Sequence, residues 1–245
     1  MQEKCLRVKA IIAYDGSCFF GFQRQTSTPQ TVTHAIEEAL HSLQIHSAVV
    51  GSGRTDAGVH ATGQVIHFDL PHFWTDPEKL KVNLNRKLKE IQFKHISIVP
   101  NDFHARFSAR KRVYRYVFKT KKPSVFEANY IAYYPEFNKD LLLHALHSFE
   151  GEHDFNCFHK TGTLTHTTIR TIYQTTYKKV NGYHMIYFQA NGFLRSQVRV
   201  MVETAMRCAK GELTLGQLQE QLICQKKHIT KLAPPQGLYL SRIIY

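Results

Sequence analysis

Strand-like and helix-like hydrophobic patterns alternate along the whole chain, and this alternation is the strongest constraint on its fold. The stretch Leu6–Tyr14 (LRVKAIIAY) is apolar and β-branched and predicts a strand. Apolar residues then recur at helical spacing over 29–43, and Thr28-Pro29 predicts the start of that helix. In the second half, Asn181-Gly182 separates two strand patterns and predicts a tight hairpin turn.

The remaining patterns interleave in the same way in both halves. Further strands are predicted near 48–51, 64–70, 96–99, 113–119, 171–180, 183–190 and the C-terminus, and further helices near 77–89, 141–149, 196–210 and 215–222. This mixture predicts an α+β fold of two similar-sized parts, joined by the basic segment 100–112. We take residues 1–105 as the N-terminal subdomain and residues 106–245 as the C-terminal subdomain.

The charge of the chain indicates a polyanionic partner. Its 245 residues contain 32 Lys and Arg against 19 Asp and Glu, which gives a formal net charge of +13. A basic excess of this size favours nucleic acid as the partner, although it also promotes solubility. The basic segments 106–115 and 119–122 are candidates for contact with a nucleic-acid backbone, and a solvated surface is the alternative for each.

The cysteines and the apolar runs favour a reducing aqueous compartment. The five cysteines, Cys5, Cys18, Cys157, Cys208 and Cys224, are scattered and form no CxxC pair, which argues against a disulfide framework. The sequence begins without a signal-peptide pattern, and no apolar run approaches the ~20 residues of a membrane span. We therefore expect a cytoplasmic protein without a membrane partner.

Residues 51–60, GSGRTDAGVH, are the most unusual stretch of the sequence. Three glycines surround Arg54 and Asp56, and glycine allows a backbone to approach a ligand closely. The stretch fails both the GxxxxGK[ST] phosphate loop and the GxGxxG dinucleotide pattern. On residue types alone, a surface turn and a loop that presents the Asp56 carboxylate to a substrate are equally well supported.

Patterns for metal-based and serine-based catalysis are missing from the sequence. The 15 histidines include no HExxH, and the group His153, Asp154, Cys157 and His159 matches no zinc spacing. A GxSxG nucleophile pattern is also absent. We therefore expect no metal site.

The block 51–64, GSGRTDAGVHATGQ, resembles the catalytic motif of the tRNA pseudouridine synthase A (TruA) family. Five further segments match other motifs of the family, and all six occur in the family's order along the chain. They are YDGSCFFGFQRQ (14–25), FHARFSARKRVYRY (103–116), GEHDFNCFHK (151–160), NGFLRSQVRVMV (191–202) and APPQGLYL (233–240). Six motifs with appropriate spacing cover nearly the whole chain, so the resemblance is specific.

The resemblance implies a fold, an activity and a partner. Family members have the pseudouridine synthase fold, in which two α/β subdomains with mixed, mainly antiparallel sheets lie side by side and flank an active-site cleft. They convert uridine to pseudouridine in tRNA, in the anticodon stem-loop around positions 38–40. They work as homodimers, and the isomerisation requires no cofactor.

The resemblance also assigns roles to five residues of this sequence. Asp56 aligns with the catalytic aspartate, and Arg199 aligns with the arginine that pairs with it. Tyr114 aligns with the tyrosine that packs on the target base. Arg54 aligns with a loop arginine that helps to displace the target nucleotide, and Leu238 aligns with an apolar pocket residue.

Three departures from the family pattern lie near these residues. Phe22 stands where many members have Trp, Val200 stands where Asn is common, and 195–197 (RSQ) replaces a His-rich run. Asp56 and Tyr114 are unaffected. The departures therefore concern the groups around the reacting residues and leave the reaction itself in place.

Elementary electrostatics supports a pairing of Asp56 with Arg199. A carboxylate acts as a nucleophile only when it is ionised, and a cation within ~4–6 Å keeps it so. An arginine suits this role because it stays charged and binds a carboxylate bidentately. The alternative for Arg199 is a helix-surface pair with Glu203 at i,i+4, and the alternative for Tyr114 is packing in a core.

Two other functions compete with a tRNA isomerase. A catalytically inactive RNA-binding protein would explain the charge but not the intact set of Asp56, Tyr114 and Arg199. A nucleoside hydrolase with an Asp nucleophile would leave the extended basic surface without a purpose. The resemblance therefore favours the isomerase.

Overall fold

The chain folds into two compact units, each built from strands and helices. The structure is a computed structural model that describes residues 6–162 and 165–245. The first unit comprises Met1–Arg110 and Leu240–Tyr245, and the second comprises Lys111–Tyr239. The division falls after Arg110 rather than after residue 105, and the C-terminal residues join the first unit because the last strand pairs with a strand of that unit.

The first unit is built on strands in the order β4-β1-β3-β10, with β2 added to β3. The bounds are β1 Leu6–Tyr14, β2 Val50–Gly51, β3 His60–Leu70, β4 Ile91–Ile98, β10 Leu238–Ile244, α1 Val32–His41 and α2 Pro77–Lys87. Strand β1 pairs antiparallel with both β3 and β4. Its alternate residues Val8, Ala10 and Ile12 are buried, because successive side chains of a strand point to opposite faces.

Helix α1 begins at Val32 rather than at residue 29, so the predicted start was wrong. Thr31, not Thr28, is the N-cap, and its hydroxyl accepts from the His34 N–H. The Thr28 hydroxyl accepts from the Gln30 N–H instead. Both threonines suit a cap, and the pattern of the sequence alone does not distinguish them.

The second unit is built on antiparallel strands in the order β5-β9-β8-β7. The bounds are β5 Lys111–Lys119, β6 Ala132–Tyr133, β7 Gly151–Asp154, β8 Ile169–Val180, β9 Tyr183–Ala190, α3 Lys139–His147, α4 Gln197–Ala209 and α5 Leu215–Leu222. The short strand β6 pairs parallel with β5. Asn181 and Gly182 have φ values of 49° and 80°, which confirms the predicted hairpin turn.

The two faces of β5 differ in character. Tyr114, Tyr116 and Phe118 point to the buried face, where Tyr116 and Phe118 are completely enclosed. Arg115 and Val117 point to the opposite face and remain half-buried.

None of the helices within residues 6–162 and 165–245 is long and apolar enough to cross a membrane.

His67 is a neutral buried histidine in the first unit. It lies on β3, where its Nδ1 accepts from the Ala105 N–H at 3.1 Å. Burial, together with the nearby positive charge of Arg7, lowers the pKa of His67 to about 4. The ring therefore stays uncharged, and remains an acceptor, throughout the neutral range.

This burial predicts a pH-dependent stability. The pKa of His67 in the folded protein lies below the ordinary value of 6.5. The contribution of His67 to the free energy of unfolding is therefore fully present above pH 6.5 and is lost as the pH falls towards 4. Between pH 7.5 and pH 5, His67 should account for a loss of about 2 kcal/mol in the free energy of unfolding. Urea unfolding should show a correspondingly smaller loss over this range in His67→Gln. Equal losses in the variant and the wild type would contradict the assignment.

Candidate active site

The loop that carries Asp56 connects β2 to β3, and a buried glutamine holds its first half. The Ser52 N–H donates to the Val65 carbonyl at 2.8 Å. The Ser52 hydroxyl donates to Gln64 Oε1 at 2.7 Å, and Gln64 Nε2 donates to the Gly53 carbonyl at 2.8 Å. Gln64 is fully buried, so its amide can hold this conformation without competition from water.

The segment after β1 holds the residues on either side of Asp56. The Phe22 N–H donates to the Thr55 carbonyl at 3.1 Å, and the hydroxyls of Tyr14 and Thr55 are hydrogen-bonded at 2.8 Å. The Gly16 N–H donates to His60 Nδ1 at 2.9 Å. The chain that carries Asp56 is therefore held in place both before and after the carboxylate.

Asp56 itself begins a tight turn. Its carbonyl accepts from the Val59 N–H at 3.1 Å, and Gly58 within the turn has a φ of 75°, which favours glycine. The Asp56 side chain is half-buried, and Arg54 is exposed on the same loop. The arrangement presents a carboxylate and a guanidinium from one short, hydrogen-bonded segment.

The glycines around this loop serve two different purposes. A Cβ at Gly16 would collide with the backbone of Val59 and His60, and a Cβ at Gly51 would collide with the ring of Phe22. A Cβ at Gly53 would have no heavy atom within 4 Å. Close packing therefore requires Gly16 and Gly51, whereas Gly53 is the glycine of this set that faces open space.

Tyr114 lies on the buried face of β5 and is 8% exposed. Its ring makes an edge-to-face contact with Phe193, with centroids 5.2 Å apart. The core-packing alternative therefore describes part of its environment. Stacking on a target base stays a prediction.

Arg199 lies on α4 and is held to the segment that leads to β10. Its Nε donates to the Ala233 carbonyl at 2.8 Å, and the Ala233 N–H donates to the Arg199 carbonyl at 3.1 Å. Glu203, the alternative partner, accepts from Arg207 Nε at 3.1 Å and from the Tyr134 hydroxyl at 3.2 Å. The pairing of Arg199 with Asp56 stays a prediction.

The segment that leads to Leu238 is held by a buried tyrosine. Burial raises the pKa of Tyr116 well above its ordinary value, so its hydroxyl stays protonated and donates to the Pro234 carbonyl at 3.0 Å. A Cβ at Gly237 would lie 2.8 Å from the Tyr116 ring and from the Val117 carbonyl, which leaves no room for a side chain. Leu238 follows directly and is buried. Its role as an apolar pocket residue stays a prediction.

Gln197 replaces the family's His-rich run without leaving a buried group unsatisfied. It is fully buried at the start of α4, and its Oε1 accepts from the Leu194 N–H at 2.8 Å. Ser196 before it adopts a left-handed φ of 58°. The departure at 195–197 is thus accommodated by local hydrogen bonding.

Among residues 6–162 and 165–245, no group of three or more His, Cys, Asp or Glu side chains could hold a metal ion. Cys18, Cys157, Cys208 and Cys224 are free thiols.

Known proteins resemble this chain along almost its entire length. A family profile described as tRNA pseudouridine synthase matches residues 10–108 and 145–245. The tRNA pseudouridine synthase A of Helicobacter hepaticus is 41% identical over 243 residues, covering 97% of this chain and 98% of that protein. The corresponding proteins of Campylobacter jejuni (strain RM1221) and Listeria monocytogenes (serotype 4b) are 36% and 40% identical, and each comparison covers 98% of this chain and at least 99% of the relative.

The chain belongs to the tRNA pseudouridine synthase family. Membership confirms the predicted family, the α+β pseudouridine synthase fold and the enzyme class, an isomerase that forms pseudouridine.

Three residues that hold the Asp56 loop in this synthase were not identified from the sequence. Tyr14, His60 and Gln64 all lie within the first motif or the catalytic block, but no chemical role was assigned to them. Their position inside the motifs was the available signal. Their hydrogen bonds to the loop explain why those polar residues occur there.

Two glycine substitutions should separate packing from substrate clearance. Gly16→Ala should lower the free energy of unfolding by about 1–3 kcal/mol, because the new methyl group meets backbone atoms that cannot move freely. Gly53→Ala should change it by less than ~0.5 kcal/mol. Urea unfolding measures both, and similar destabilisation by the two variants would contradict the described loop.

If Gly53 leaves room for a nucleotide, Gly53→Ala will lower turnover while the stability of the protein is retained.

Proposed function

We propose that this enzyme isomerises uridine to pseudouridine in the anticodon stem-loop of tRNA, around positions 38–40, with Asp56 as the nucleophile. The observation that carries the proposal is the Asp56 loop, in which hydrogen bonds hold the chain on both sides of the carboxylate. Family membership supports tRNA as the substrate. The location within the anticodon stem-loop rests on the resemblance of the motifs.

The reaction requires a positioned carboxylate and little else. The bond from C1′ to N1 breaks, the uracil turns, and C5 bonds to C1′; C5 then loses its proton to solvent and N1 ends protonated, so the product is an isomer of the substrate. Asp56 acts at the sugar or at the base, and Arg199 pairs with the carboxylate and orients it. A loop held in advance reduces the entropic cost of bringing the carboxylate to the reacting atom.

The other three predicted residues would bind the substrate. Extrusion of the target uridine from its stack costs a few kcal/mol. The exposed Arg54 can occupy the space that the uridine leaves and contact phosphate. Tyr114 would stack on the uracil, and Leu238 would line its pocket. The basic segments 106–115 and 119–122 would follow the RNA backbone.

Tritium release tests the proposal. Wild-type enzyme, incubated with tRNA that carries tritium at C5 of its uridines, should release tritium. Asp56→Ala should bind the tRNA with little change in affinity but release none at a detectable rate, because its nucleophile is gone. Mapping pseudouridines by carbodiimide modification and primer extension should place them around positions 38–40. Binding without release by the wild type would instead support the inactive RNA-binding protein.

Arg199→Ala should lower kcat far more than it raises the Kd for tRNA, because the arginine acts on the aspartate rather than on the RNA backbone. Arg207→Ala is a matched control: Arg207 lies on the same helix, pairs with Glu203, and should leave kcat nearly unchanged. Single-turnover kinetics and filter binding give the two quantities. Comparable losses in kcat and affinity for Arg199→Ala would contradict the proposed pairing.

We also propose that the enzyme acts in the cytoplasm as a homodimer. Val125 and Phe126 are neighbours that are 84% and 87% exposed, on the segment between β5 and β6. The same unit has an open groove of about 350 Å³ whose lining includes Ile131, Met185 and Arg115. An apolar projection and a groove lined by aliphatic, aromatic and basic side chains on one chain suit a two-fold interface, in which each copy inserts into the other.

Substitution of the projection tests the dimer. Phe126→Asp should shift the protein towards the monomer, because the ring that fills the groove would be replaced by a short, hydrated carboxylate that cannot fill it. Phe73→Asp is the matched control, since Phe73 is an exposed phenylalanine of the other unit. Light scattering over a dilution series reports the mass. A wild-type monomer at every concentration, or a dimer unaffected by Phe126→Asp, would overturn this interface.

A further inference from the structure

Phe107 is the exposed end of a column of three aromatic rings in the first unit. The buried His67 ring lies 4.9 Å from the His104 ring, and the His104 ring lies 4.3 Å from the Phe107 ring at an interplanar angle of 30°. Phe107 is 76% exposed. The column therefore begins in the core and ends in a ring that is open to solvent.

Backbone hydrogen bonds hold this column in place. His104 Nδ1 accepts from the N–H groups of both Arg106 and Phe107 at 3.2 Å. The His104 N–H donates to the Ser108 hydroxyl at 3.0 Å, and the Ser108 N–H donates to the His104 carbonyl at 2.9 Å. A ligand that covers the Phe107 ring would meet a segment already ordered, so little ordering entropy is lost on binding.

The charge around Phe107 favours a nucleotide over an apolar protein surface. The Arg106 guanidinium lies 5.6 Å from the Phe107 ring centroid. The stretch 106–112, RFSARKR, contains four basic residues and no acidic one. An exposed aromatic ring beside cations is the combination with which proteins bind unpaired bases and their phosphates.

Phe73 shows that exposure alone does not make such a site. It is 56% exposed and contacts the His72 ring edge-on. Its surroundings, PHFWTDPE at 71–78, contain Asp76 and Glu78 but neither Lys nor Arg. Acidic groups of this kind repel RNA, so Phe73 is a suitable control for Phe107.

We propose that Phe107 is a stacking platform for an unpaired base of the tRNA substrate other than the target uridine, and that Arg106 contacts the adjacent phosphate. The inference rests on the proposed function only for the identity of the RNA. Phe107 then contributes to the binding of tRNA, and the chemical step is left to the Asp56 loop. Loss of the Phe107 ring should raise the KM for tRNA, while kcat at saturating tRNA is retained.

Binding of an unmodified tRNA transcript tests the platform. Phe107→Ala should weaken binding by about 5- to 150-fold, the range expected from the loss of one stacked base. Phe107→Trp should bind as tightly as the wild type, and Phe107→Leu should remain weak, because leucine keeps the apolar bulk but has no π-face. Phe73→Ala should bind as the wild type does. Thermal unfolding of each variant checks that the fold is retained.

The salt dependence separates stacking from phosphate contact. Phe107→Ala should leave the slope of log Kd against log salt unchanged, whereas Arg106→Gln should reduce it by about 1. Ultraviolet crosslinking followed by mass spectrometry should join Phe107 to one nucleotide of the tRNA. Wild-type affinity in Phe107→Ala, or equal affinity for Phe107→Leu and Phe107→Trp, would overturn the platform. Absence of tritium release by the wild type would overturn the proposed function. It would not overturn the platform, which the binding measurements test separately.

Discussion

The contact between the turn after β1 and the loop after β2 determines the geometry around Asp56. Gly16 lies so close to the Val59 backbone that no other residue fits, and its N–H donates to His60. The Phe22 N–H donates to Thr55 on the other side of the carboxylate. These bonds join two segments that are far apart in sequence. They explain why particular residues are required in both segments, since a change in either segment alters the position of the aspartate.

The second unit holds its predicted groups by the same principle. Arg199 is bonded through its side chain and its carbonyl to Ala233, so the helix and the segment before β10 hold it jointly. Tyr116, kept protonated by burial, donates to Pro234 in that segment and so fixes the approach to Leu238. Catalysis by positioned side chains benefits from such order, because the groups need little rearrangement when the substrate binds.

Periodicity predicted much of the fold and little of the site. The bounds of β1, β9 and α4 follow the patterns closely, because each element has one buried face that repeats over several residues. Strands β6 and β7 escaped prediction because two to four residues carry no period. The composition of the Asp56 loop supported a surface turn and a substrate-facing carboxylate equally, and the family resemblance decided between them.

The groups that support the site depend on contacts that local patterns do not contain. Gly51 accommodates the ring of Phe22, which comes from another motif. Gln64 belongs to a strand pattern, yet its amide holds the loop. Such roles follow from the packing of distant segments, and a single sequence records them only as unexplained polar or glycine residues.

We expect the loop of Asp56 to be fully ordered before RNA binds. Hydrogen–deuterium exchange of the RNA-free enzyme tests this directly at the N–H groups of Phe22, Ser52 and Val59, which bond to Thr55, Val65 and Asp56. We predict that all three exchange at least about a hundredfold more slowly than the unstructured chain, because opening the loop requires breaking its internal bonds. Exchange at the unstructured rate, with protection only after tRNA is added, would contradict the account.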